Sequence, residues 1–178
     1  EAADRILAAA RDSSAVLLVG HTERFNPAVE ALARRAGSPR FVEAHRLGSF
    51  SARSLDIDVV LDLMIHDLDV ILHFVKSKVE RVDAVGVPIL SEHEDIANAR
   101  VVFEDGCVAS LTASRVATKT ERKLRVFSAD SYLVVDFGRR EGYFYRKSPE
   151  LTLDRVRDLA KGAQSLADLQ GVVFRDLL

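Results

Sequence analysis

Four ionisable residues, Asp62, His66, Asp69 and His73, interrupt the otherwise apolar run DVVLDLMIHDLDVILHFV. Their spacings of four, three and four residues set them on one narrow arc of a helix. Val59, Leu63, Ile65, Val70 and Leu72 surround that arc. Charged groups left unpaired against such a surface would cost several kcal/mol on the scale for buried charge, so they must be paired or line a wet cleft. Three chemistries fit the pattern. One is a satisfied polar seam in which carboxylate and imidazole bond each other and do nothing further. Another is a metal site, because Asp-x-x-x-His sets two ligands on one face, although the spacing matches no zinc signature and no second ligand-rich helix accompanies it. The third is acid/base chemistry, with Asp62 orienting His66 and the imidazole exchanging a proton near neutral pH.

An upstream segment bears on that choice. AVLLVG, residues 15–20, is a continuous apolar run closed by glycine, as expected of a strand buried on both faces. GHTERFNP follows directly, so it would lie at the carboxyl end of a strand in an α/β sheet, where such folds bind ligands. Arg24 can fork onto a carboxylate or phosphate, and Asn26 both donates and accepts. The structural reading of the same residues is a surface loop, with Asn26 capping a helix that begins at Pro27.

The elements that must position these groups are readable from periodicity. Residues 2–12 are helical and amphipathic, through Ile6, Leu7 and Ala10. PAVEALARRAG is a helix between Pro27 and a C-terminal Gly37. FVEAHRLGSF alternates as a strand, and the apolar helix spans about residues 58–75. VERVDAVGVPIL, DIANARVVFE, CVASLTASRV, KLRVFSA, SYLVVDF and GYFYRK then read as strands joined by turns such as EDG and GRREG. Short connections between successive strands predict a mainly antiparallel sheet. Helical spacing returns from Leu153 through Val156, Leu159, Leu166 and Leu169. The expected fold class is α+β: a domain with a large, mainly antiparallel sheet over residues 21–178, preceded at 1–20 by the last helix-strand unit of a Rossmann-type α/β domain. Few helices are available to cover the sheet, so a homodimer or homotetramer packed through it is expected.

Composition narrows the partners. The 178 residues are 48% hydrophobic and 29% charged, with a formal net charge of -2. That is the make-up of an ordinary globular protein without global attraction to nucleic acid or anionic membrane. Apolar runs are too short and too interrupted by charge for a spanning helix, and no signal-peptide pattern opens the chain. The single cysteine, Cys107, rules out a disulfide within the chain and points to a reducing, cytoplasmic setting. A chain opening on EAADRILAAARDS, without methionine, reads as starting inside a larger protein.

In order, these segments are a helix, an apolar strand, His-x-x-Arg-Phe-Asn-Pro, a D-x-x-x-H-D-x-D helix, EDIANARVVFEDG and SLTASR. Together they resemble the Gfo/Idh/MocA family of NAD(P)-dependent sugar oxidoreductases, over roughly residues 1–145. Within that family, VGHTERFNP and IDVVLDLMIHDLD are most similar to a bacterial branch that oxidises position 3 of UDP-N-acetylglucosamine on the way to the diamino sugar of some lipid A molecules. The resemblance implies a Rossmann domain for NAD or NADP, followed by an α+β domain for substrate and oligomer contacts. It implies catalytic roles for His66 and Asp62, with a lysine from a Glu-Lys-Pro motif. Arg24, Asn26 and Asp69 would face the substrate, and His21 and Arg24 the nicotinamide. Arg115, with Lys119 and Arg122, is either a solvated sheet end or a contact to a nucleotide-sugar diphosphate.

The sequence departs from the family pattern in having no G-x-G and no Glu-Lys-Pro, so this chain alone is incomplete and, on that reading, inactive. Ile57-Asp58 stands where many relatives carry Gly-Gly. The competing reading is a non-catalytic dimerisation or regulatory module that keeps the fold.

Overall fold

The computed structural model describes residues 2–51, 55–149, 152–161 and 173–177. Its centre is an eight-stranded sheet in the order β2-β3-β4-β1-β5-β6-β7-β8. The strands are β1 (Phe41–Leu47), β2 (Val79–Val87), β3 (Ile96–Phe103), β4 (Val108–Ser114), β5 (Glu121–Phe127), β6 (Ser131–Asp136), β7 (Glu141–Lys147) and β8 (Val173–Leu177). Only β1 and β4 run parallel; every other neighbouring pair is antiparallel. A parallel pair needs a long crossover. Here the crossover carries the helix with the Asp/His stripe and then the β2–β3 hairpin, which delivers that helix onto the sheet beside β1.

Alternation decides which face the helices cover. Val42 and Ala44 of β1, Ala97, Ala99, Val101 and Phe103 of β3, Ala109 and Leu111 of β4, Leu124 and Val126 of β5, and Leu133 and Val135 of β6 all point inward and are buried. Against them pack α2 (Pro27–Arg35), through Val29 and Leu32, and α3 (Ile65–Phe74), through Val70, Ile71 and Phe74. At about 25 cal/mol per Å² of apolar surface, this shared core is the main stabilising contribution.

Local signals set the helix ends. The Asn26 side chain accepts from the Ala28 N–H at 3.0 Å, and Pro27 fills the first turn of α2, where its missing N–H costs nothing. Ala36 closes the helix and Gly37 follows at φ +59°, the left-handed position that favours glycine.

The opposite face has no helix on it among the described residues. Phe41, Phe127, Tyr132 and Tyr145 form an aromatic ladder across it, with ring centroids 5.8, 4.7 and 5.6 Å apart in succession. Beside the ladder, Arg125 bridges Glu43 at 3.0 Å and Glu121 at 3.2 Å.

Two expectations need correction. AVLLVG is not a strand: Val16 is 96% and Leu18 71% exposed, and no described strand lies beside it to accept its backbone hydrogen bonds. The helix before it, α1 (Ala2–Ser13), likewise buries nothing. At the other end α4 spans Leu153–Ala160, Leu166 and Leu169 lie outside the described residues, and Val173–Leu177 is an eighth strand. That segment, VFRDL, has too little alternation to announce a strand; pairing with β7 supplies what the pattern lacks.

Candidate active site

Two arginine forks assemble the site. The segment after AVLLVG makes a single 3₁₀ turn, Thr22–Phe25, between His21 and the Asn26 cap. From that turn Arg24 reaches α3: its Nε donates to Asp69 Oδ2 at 3.1 Å and its Nη2 to Asp69 Oδ1. From β1, Arg46 points inward where an apolar residue would alternate. Its Nε and Nη2 donate to Asp67 Oδ2 and Oδ1 at 2.9 and 2.8 Å, and its Nη1 lies 3.7 Å from Glu23 of the turn. The Arg46 guanidinium also sits 5.6 Å from the Phe137 ring centroid, within cation–π range. Burial works to strip the Arg46 proton, but the Asp67 and Glu23 carboxylates outweigh it and raise the pKa.

These forks hold the 3₁₀ turn, β1 and α3 in one register. On the same helix as the two aspartates stands His66, its ring 6.3 Å from that of His21 in an edge-to-face arrangement. His66 Nδ1 is buried and has no hydrogen-bond partner among the described residues. A buried polar atom left open in an otherwise paired neighbourhood is where a ligand group would complete the set. That opening suits a substrate hydroxyl or a second acid/base group.

Asp62 occupies a different local geometry from the one expected. Val60–Met64 is a π-helical turn, in which the Ile65 N–H reaches back to the Val60 carbonyl, and α3 begins only at Ile65. Wider i→i+5 winding shifts a residue pair four apart off the line an α-helix would give, and such turns recur at functional sites. No hydrogen bond joins Asp62 to His66. His73, at the far end of α3, is exposed.

Asn26 is committed to its cap, and its Nδ2 also donates to Glu23 Oε2 at 3.3 Å. A groove of about 470 Å³ runs along this turn, lined by Glu23, Phe25, Asn26 and Arg140 among others. His66 and Asp62 do not line it.

Arg115 does not lie at a solvated sheet end. Its side chain is 5% exposed, lies 3.0 Å from Asp95 Oδ1, and donates to the carbonyls of Ile57 and Glu94 at 2.6 and 2.9 Å. It is a strut holding the entry to the π-helical turn. Its partner Asp95 is fully buried and accepts from the N–H groups of Ile89, Leu90 and Ser91 at 2.7, 2.5 and 2.9 Å. Burial pushes the Asp95 carboxyl up, yet the backbone bonds from Leu90, Ile89 and Ser91 and the Ser91 hydroxyl together hold it well below the usual carboxylate range.

Arg46, Asp67, Glu23 and Asp95 escaped the reading of the sequence. For Arg46 a signal existed: a charge at an inward position of an alternating strand. Asp67 beside His66 gave none, because only the packing decides which neighbour of a histidine faces inward. Cys107 is buried, with its thiol pushed up to about 11 by burial and by the Asp105 charge. Among the described residues no group of three or more His, Cys, Asp or Glu side chains is placed to hold a metal ion, and no helix is long and apolar enough to cross a membrane.

The described residues thus form a helix-backed, mainly antiparallel sheet that carries the histidine helix on one face. The profile of the GFO/IDH/MocA C-terminal domain matches residues 29–133, and the chain belongs to that family. UDP-N-acetylglucosamine 3-dehydrogenase from Acidithiobacillus ferrooxidans is 38% identical over 177 residues, covering 96% of this chain and 56% of its own length. The chain thus spans little more than half of that relative. A solved structure of the dehydrogenase from the same organism superposes with a TM-score of 0.75 at 41% identity, over 81% of this chain and 48% of that one. An inositol dehydrogenase homologue from Azotobacter vinelandii, solved with NADH and myo-inositol, shares the fold at a TM-score of 0.72 and 16% identity, over 80% of this chain and 43% of its own.

Proposed function

We infer that the full protein is an NAD(P)-dependent dehydrogenase that oxidises a secondary hydroxyl of a nucleotide sugar, position 3 of UDP-N-acetylglucosamine. Residues 21–178 form its substrate and oligomerisation domain, and residues 1–20 the end of its dinucleotide-binding domain. The observation that carries this reading is the open, buried Nδ1 of His66, on the helix that two Arg–Asp forks anchor. The identity to the named dehydrogenase supports the substrate.

In this reading His66 removes the proton of the sugar hydroxyl as the carbon is oxidised to a ketone. His21 and Arg24 would hold the nicotinamide, which would supply a hydride acceptor for that carbon and so account for the two electrons lost. Asp62 stabilises the imidazolium through space, and Asp69 acts by fixing Arg24. The open face of the sheet, with its aromatic ladder, is the surface through which copies pair as a dimer or tetramer. A reducing cytoplasm suits the single buried thiol.

The test is His66→Ala in the full-length protein. Turnover of UDP-N-acetylglucosamine should fall by about 100- to 10,000-fold, the usual worth of a positioned acid/base group, while NADH affinity stays within about twofold. Undiminished turnover would remove His66 from the chemistry. If the wild-type protein reduces neither NAD nor NADP with any nucleotide sugar, the non-catalytic module becomes the better account.

A further inference from the structure

A second cleft, of about 390 Å³, opens at the sheet end where β5 begins and β6 finishes, lined by Lys119, Arg122, Lys123 and Arg139 together with Glu121 and Asp136. Its charges do not balance. Glu121 is already drawn to Arg125 at 3.2 Å and to Lys123 at 3.9 Å. Asp136 accepts from the N–H groups of Gly138 and Arg139 at 3.0 Å each, and lies 3.8 Å from Lys123. Lys119, Arg122 and Arg139 have no ion-pair partner among the described residues. Three uncompensated cations around one concavity repel each other and favour a multiply charged anion, which guanidinium groups bind through paired charge-assisted hydrogen bonds.

The cleft is built into the same framework as the histidine site. Asp136 folds the β6–β7 turn by accepting two consecutive N–H groups, and the Phe137 N–H donates to the Arg122 carbonyl at 2.9 Å. Phe137 is buried beneath Arg46, whose fork holds Asp67 next to His66. Arg140, the next residue of the turn, stands at φ 56° and lines the groove along the Glu23–Asn26 turn, so adjacent arginines serve two neighbouring openings.

We propose that Lys119, Arg122 and Arg139 form the subsite for the diphosphate of the nucleotide-sugar substrate. This rests on the nucleotide-sugar reading above. The same chemistry is present in the diphosphate of the dinucleotide, and the assignment here is to the substrate. The diphosphate of a nucleotide sugar is a diester with two negative charges, which offset most of the charge of the three cations, and the cleft shares the β6–β7 turn, through Phe137, with the framework that holds the histidine helix.

The experiment uses the full-length protein, with calorimetric titration of UDP, inorganic pyrophosphate and NADH into the wild type, the Arg122→Ala/Arg139→Ala variant, and Arg81→Ala as a control that removes a charge on the distant edge strand. Wild type should bind UDP and pyrophosphate competitively. The double variant should bind both at least about tenfold more weakly, the equivalent of losing one charge-assisted contact, with NADH unchanged and Arg81→Ala like wild type. Three results would overturn the subsite: UDP binding equal in wild type and double variant, no UDP or pyrophosphate binding by wild type, or a loss confined to NADH. A wild type that binds UDP here yet oxidises no nucleotide sugar would keep the subsite and remove the reaction, so the two claims fail separately. Circular dichroism of the variant checks that it folds, and Arg139→Lys, which retains charge without the fork, should recover part of the binding.

Discussion

Arg46 and Asp67 close a two-pronged ion pair inside the fold, at 2.9 and 2.8 Å, with side chains only 5% and 4% exposed. Truncating one partner strands the other charge in the interior, so Arg46→Ala should lower unfolding free energy by about 3–5 kcal/mol, read from urea denaturation. The double replacement Arg46→Met/Asp67→Leu fills the space without charge and should recover most of that stability. If the fork also positions the histidine helix against the 3₁₀ turn, kcat/KM of the double variant stays depressed while its stability returns. Recovery of both together would leave the pair a purely structural role.

Asp62 lies in the π-helical turn without a hydrogen bond to His66. Its influence on the imidazolium is then through space and partly screened, worth about 1 kcal/mol or less, so Asp62→Asn should lower kcat no more than about tenfold. Stopped-flow measurement of NADH formation reads this directly. A loss as deep as that of His66→Ala would mean that the two groups bond in the substrate complex.

Asn26 has a capping role and a proposed substrate role, and one pair of variants separates them. Asn26→Ala should cost about 1 kcal/mol of stability through the lost cap, whereas Asn26→Ser keeps an oxygen for the Ala28 N–H and should fold almost as well as wild type. A raised KM in Asn26→Ser, at unchanged melting temperature, identifies the carboxamide as a substrate contact. An unchanged KM leaves it a cap.

Asp95 predicts an acid limit. Its folded pKa lies below the unfolded value of about 3.9. Its contribution is therefore full above about pH 4 and is lost as pH falls through the folded pKa, because the unfolded state then binds the proton more readily. Urea midpoints should be insensitive to this group from pH 5 to 7 and should drop between pH 4 and 2. Asp95→Asn should flatten that drop; an identical acid slope in the variant would assign the acid sensitivity to other carboxylates.

Much of the fold was legible in the sequence, and the reason is periodicity. FVEAHRL and VASLTAS alternate because each must bury one face only, and PAVEALARRAG carries its own start and stop signals. AVLLVG was legible as a buried strand in type, yet it stands exposed here, since a strand exists only where a neighbour takes its hydrogen bonds. VFRDL failed in the opposite direction: weak alone, it becomes a strand once β7 offers an edge.

By itself the sequence determined the α+β class and the stripe of Asp62, His66 and Asp69 on one helix, because spacing along one element is a one-dimensional property; Arg24 and Asn26 were candidates by residue type, and His21 only through the family resemblance. Tertiary structure alone decided which charges meet. It tied Arg24 to Asp69 and Arg46 to Asp67, withdrew Arg115 into a strut with Asp95, and left His66 Nδ1 open. Those outcomes depend on residues 21, 45 and 20 positions apart, respectively for Arg46–Asp67, Arg24–Asp69 and Arg115–Asp95, being brought within about 3 Å. Only chain crossing and helix-on-sheet packing can do that, since a charge inside the core keeps its place when its partner arrives from another element.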